Sequence, residues 1–171
     1  MNWLMIILRI IHIFAGVFWV GVSMFNIGFL QPAVAATGAE GQKVMQYIAR
    51  STRLTAATYT ASTLVVLSGL IMYGILTGFR PAAMAIGTYL TLGVGGLFGI
   101  AAWIIVMIVI RGIFTEMGAI GMQIQKQGGP PTPEQGAALK ALSGRLVSIG
   151  RQALGLLLVA LLAMSIAQYV G

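Results

Sequence analysis

Apolar residues in this chain do not alternate with polar ones but run in four long blocks, at about residues 3–30, 54–77, 84–110 and 149–170. Each block is near the ~20 residues that a helix needs to cross a bilayer. The pattern predicts an all-α fold: an integral membrane, antiparallel four-helix bundle in one domain spanning 1–171. The first block opens at Met1-Asn2-Trp3 with no basic leader or cleavage signature, so a retained span is expected there.

The stretches between blocks one and two and between blocks three and four also carry helical signals. Thr37-Gly38-Ala39-Glu40 and Thr132-Pro133-Glu134-Gln135 both have the spacing of a capping box. Helices two and four are therefore expected to start in the cytoplasm, ahead of the membrane. Gly128-Gly129-Pro130-Pro131 can only be a turn.

Charge decides the expected orientation. The first connection carries Lys43, Arg50 and Arg53 against Glu40, and the third carries Arg111, Lys126, Lys140, Arg145 and Arg151 against Glu116 and Glu134. The second connection holds only Arg80, while Arg9 lies in the first block. The positive-inside rule makes the two basic segments cytoplasmic and turns both termini outward, in what is expected to be a prokaryotic cytoplasmic membrane. These cations suit anionic lipid headgroups, and they account for the net charge of +7 without nucleic acid.

Composition narrows the chemistry further. The chain is 58% hydrophobic and 8% charged, against about one quarter charged in a soluble domain, so no soluble catalytic domain fits within 171 residues. With no cysteine and one histidine, disulfides, thiolate sites and multi-histidine metal centres are all excluded. The three carboxylates lie in the connections, which leaves no acid–base pair inside the bundle. There is no HExxH, P-loop, dinucleotide fingerprint or nucleophile elbow.

What remains is His12. An ionisable group inside a span is costly and is a functional candidate by default. Arg9, His12, Gly16 and Trp19 follow at spacings of three, four and three residues and so share one helix face. Counting inward from the outer helix ends brings Gly69, Gly93, Gly95 and Gly96 to the depth of His12, with Met164 nearby. A haem needs an imidazole ligand, a flat slot and cations for its propionates. His12, the glycines and Arg9 offer one of each, and Met164 or Met72 could be a second axial ligand. Most of the glycines inside the spans read as tight helix packing.

Leu8-Arg9-Ile10-Ile11-His12-Ile13 followed by Phe18-Trp19-Val20-Gly21 resembles the first-helix pattern of the CopD-like and HemJ-like membrane families. Leu67-Ser68-Gly69-Leu70 is similar to their second-helix signature, with Ser for Thr, and Met164-Ser165-Ile166-Ala167-Gln168-Tyr169 is similar to the close of the uncharacterised CopD-like branch. The resemblance implies a four-helix scaffold with His12 as a haem b ligand. HemJ-like enzymes carry a lysine and a second histidine that have no counterpart here, so protoporphyrinogen oxidation is not part of what carries over.

Three functions are thus expected, in order. The first is a haem b protein with His12 axial and Arg9 at a propionate, passing electrons near the outer face. The second is a cofactor-free accessory subunit, packed by its glycine faces against a larger membrane complex or another copy of itself. The third is a copper or small-solute transporter, for which the spans hold few polar groups.

Overall fold

The computed structural model describes residues 2–170, apart from the side chains of Ala39, Gln42, Gln46, Ala49, Arg50 and Ser51. The chain is 91% helical, and no strand occurs among the described residues. The helices are α1 (Trp3–Phe25), α2 (Gln31–Thr37), α3 (Ala39–Ser51), α4 (Leu54–Thr77), α5 (Pro81–Met84), α6 (Gly87–Ile104), α7 (Arg111–Gln127) and α8 (Pro133–Ile166).

Four stretches are long and apolar enough to cross a membrane: Trp3–Thr37, Leu54–Thr77, Gly87–Gln127 and Pro133–Tyr169. Three of these are longer than the apolar blocks, and in two of them π-helical turns carry the helix onward. The turn Asn26–Leu30 joins α1 to α2, and Ile105–Ile110 joins α6 to α7. The first has a local cause. Pro32 has no N–H for the Gly28 carbonyl, and its ring crowds that turn, so the helix widens rather than stops.

The two capping-box expectations part company. At α8, Thr132 Oγ1 accepts from Gln135 N at 3.3 Å while Gln135 Oε1 accepts from Thr132 N at 2.9 Å, and Pro133 fills the first helical position. At Thr37 the box does not form. Its hydroxyl donates back to the Ala33 carbonyl at 2.8 Å, and Gly38 makes the corner at φ 58°. The basic segment before α4 is therefore a separate helix, ended by extended Thr52, and not a continuation of α4.

The core is small. Trp19 of α1 meets Ala102 of α6, Val106 of the second π turn and Leu157 of α8. Small residues bring α6 and α8 close, because a side chain at Gly95 would meet Ala163 and the Ala160 carbonyl, and one at Gly87 would meet Val170. Large apolar residues also point outward on every long helix, among them Phe14, Leu97, Ile108 and Leu162. The hydroxyls of α4 mostly serve their own helix rather than a neighbour: Thr58 donates to Leu54 O, Ser62 and Thr63 to Tyr59 O, and Thr77 to Tyr73 O. Two α4 hydroxyls also reach another helix: Thr63 Oγ1 accepts from Trp103 Nε1 at 3.2 Å, and Ser68 Oγ lies 3.2 Å from His12 Nδ1.

Candidate functional site

His12 lies on the side of α1 that packs against α4. Its Nδ1 is 2.9 Å from the Val65 carbonyl oxygen and 3.2 Å from Ser68 Oγ, whose own hydroxyl donates to Leu64 O. A carbonyl can only accept, so Nδ1 carries the proton, and in the neutral ring Nε2 keeps its lone pair. This is the arrangement in which ligating histidines are usually held: one nitrogen tied to a carbonyl and the other bare. Nε2 has no partner among the described residues, yet it is not sealed in, since the fully buried unpaired side-chain atoms there are Trp19 Nε1, Asn26 Oδ1 and Gln31 Oε1.

The other residues of the expected face separate. Gly16 makes an ordinary contact with α4, its missing Cβ falling 3.9 Å from Val65 Cγ2. Trp19 turns into the core and is 1% exposed. Arg9 is exposed and has no ion-pair partner among the described residues. Met164 packs on α6, with its Cγ 3.3 Å from where a Cβ at Gly95 would stand.

The slot expected at the glycine level is not open. A Cβ at Gly69 would lie 2.9 Å from His12 Cε1, so the volume released by that glycine is taken up by the imidazole itself. A Cβ at Gly93 would lie 2.7 Å from Tyr73 Oη, so that gap holds a phenol. Gly96 alone among these three has nothing within 4 Å. Depth along a helix was legible in sequence, but which neighbour fills a glycine gap depends on helix rotation and rotamers. At this level the gaps left by Gly69 and Gly93 are filled by His12 and Tyr73.

Among the described residues no three His, Cys, Asp or Glu side chains come together as a metal group, leaving His12 as the single imidazole donor. Val65 and Tyr73 carry no signal in the sequence, and Ser68 stands only in the second-helix signature. A backbone carbonyl carries no residue-type signal, which is why Val65 could not have been found. No family model, curated protein or solved structure matches the chain.

Proposed function

We propose that the chain is a multi-pass integral membrane protein, an antiparallel four-helix bundle in which His12 is the protein ligand of a haem b bound against the outer side of the α1–α4 pair. Four membrane-length helices with apolar residues on all sides support insertion. Helix pairings support the antiparallel order: His12 with Gly69 and Gly16 with Val65, then Gly87 with Val170 and Gly99 with Ala160. The cations of the first and third connections support outward termini.

The observation that carries the haem reading is the Nδ1–H bond to Val65, which leaves Nε2 without a partner among the described residues. The Val65 carbonyl and Ser68 hold the ring, and Gly69 lets it lie close on α4. Exposed Arg9, one turn away, is the cation available for a propionate. When bound, haem b supplies one-electron transfer. Because the bundle interior gives it no second wall, that wall belongs to another membrane subunit or a second copy.

The test is the spectrum of the protein purified from haem-replete cells. A Soret band that disappears in His12→Ala, with the bundle still helical, is the expected result. A band unchanged in His12→Ala removes His12 from the site.

A second reading has its own observation. His12 also works as an interhelical bolt, joining α1 to α4 where Gly69 makes room. If wild-type protein carries no haem under those conditions, the chain is a cofactor-free membrane subunit.

A further inference from the structure

α1 packs closely on α4 and α6 on α8, whereas α4 and α6 approach each other less closely and leave a groove of about 600 Å³ between them. Thr60 and Leu64, on its α4 wall, are exposed, so the groove opens on the outside of the bundle. The bond from Trp103 Nε1 to Thr63 Oγ1 sets the register of the two walls. Because α4 runs away from the basic connections and α6 runs toward them, residues before Thr63 and residues after Trp103 lie toward the same end. Arg111 therefore stands at the mouth, Tyr59, Thr60 and Met107 about one turn deeper, and Leu64 deepest, about 12 Å from the mouth along the helix axis.

The π turn Ile105–Ile110 builds the α6–α7 wall. Eight residues along a regular helix of about 3.6 residues per turn drift about 80° off a straight line. The wider turn takes up that drift, so Trp103, Met107 and Arg111 all face α4. Helix side chains tilt toward the N-terminus of their own helix, so Arg111 leans into the groove and Thr60 leans toward it from the opposite wall. The polar groups near the mouth are uncommitted. Thr58, Ser62 and Thr63 spend their hydroxyls on carbonyls of α4, but those of Tyr59 and Thr60 have no partner among the described residues. Arg111 is exposed and has no ion-pair partner among them either.

We propose that this groove is a binding site for an anionic phospholipid of the cytoplasmic leaflet. Arg111 pairs with the phosphate, the Tyr59 and Thr60 hydroxyls donate to its oxygens, and the start of an acyl chain runs inward past Met107 to Leu64. The order of the groove favours a lipid over a free anion: cation, hydroxyls and apolar wall follow one another inward, as headgroup and chain do in a bilayer leaflet. The volume of about 600 Å³ falls within the ~300–1,000 Å³ of small-molecule sites. The site rests on the membrane orientation proposed above, but it shares no residue with His12 and its α4 partners and is independent of the haem.

The experiment uses the full chain in neutral detergent with indole ¹⁵N labelling, which gives signals for Trp3, Trp19 and Trp103. The probes are phosphatidylglycerol and phosphatidylcholine carrying the same nitroxide near the top of one acyl chain. Trp103, bonded to Thr63 in the groove, reports the site, and exposed Trp3 reports general contact with lipid. Trp103 should broaden at about fivefold less phosphatidylglycerol than phosphatidylcholine, while Trp3 responds alike to both. Arg111→Gln should remove the preference, as should Ala56→Phe, which fills the groove, whereas Arg111→Lys should keep it. Lys140→Gln, the same loss of charge on exposed α8, should leave it unchanged. An unaltered Trp19 signal marks each variant as folded. A Trp103 response without preference overturns the site, as does a preference that survives Arg111→Gln or is lost in Lys140→Gln. Inorganic phosphate that reverses the Trp103 response as well as unlabelled phosphatidylglycerol does makes the ligand a free anion and overturns the lipid proposal. If neither Trp3 nor Trp103 responds to either lipid, the membrane reading fails and the site falls with it.

Discussion

Gly69 and His12 occupy one space between α4 and α1: a Cβ on residue 69 would stand 2.9 Å from the imidazole Cε1 and 3.3 Å from Nδ1. That approach sets the ring where Nδ1 reaches the Val65 carbonyl. Gly69→Ala should therefore push the imidazole off Val65 and cost about 1–3 kcal/mol, the range for overpacking a close-packed contact. Reversible unfolding in mixed detergent checks the energy. Unchanged stability, together with an unchanged His12 ring ¹⁵N spectrum, would show that the contact is not tight.

Gly93 and Gly96 should behave oppositely to the same substitution. A methyl at 93 would meet Tyr73 Oη at 2.7 Å, whereas one at 96 meets nothing within 4 Å. Gly93→Ala should destabilise by about 1–2 kcal/mol, and Gly96→Ala should be neutral or slightly stabilising through better helix propensity. Adding Tyr73→Phe should recover most of the Gly93→Ala loss, because it removes the clashing oxygen. A double variant no more stable than Gly93→Ala would locate the strain elsewhere.

Orientation can be read by labelling. With both termini outward, a cysteine replacing Arg80 reacts with an impermeant maleimide in intact cells, and one replacing Lys126 reacts only after lysis. The native chain has no cysteine to interfere. The reverse pattern inverts the bundle and puts His12 in the inner half.

The start of α8 should be pH-sensitive. The backbone N–H groups at the start of α8 and the Thr132 side chain favour the Glu134 carboxylate and hold its carboxyl below its ordinary value. A group whose folded value is depressed favours the folded form above its unfolded value, and that help fades as pH falls through the folded one. Amides in the first turn of α8 should be best protected from hydrogen exchange near neutrality and lose protection in acid. Glu134→Gln should flatten that dependence, and Thr132→Ala should cost about 1 kcal/mol of local stability by removing the cap. Acid sensitivity that persists in Glu134→Gln would assign it to another group.

The cations of the basic connections differ in their surroundings. Lys43 already pairs with Glu40 at 2.7 Å across one turn, an exposed contact worth little, whereas Lys140 and Arg145 are exposed on α8. The side chain of Arg50 lies outside the described residues.

Amino-acid order by itself determined the helical class and the number of long apolar helices, because block length and hydropathy act locally and need no partner. It also determined the α8 cap, since Thr132, Pro133 and Gln135 complete that motif within four residues. It did not determine that Thr37 would turn its hydroxyl back to Ala33, because the two uses of a hydroxyl compete and Gly38 tips the choice. His12 stood out as the single histidine, but its tautomer was decided by a carbonyl on another helix, 53 residues away. The glycine gaps were visible as composition, yet whether they stayed open depended on helix rotation, which turned His12 into one and Tyr73 into another.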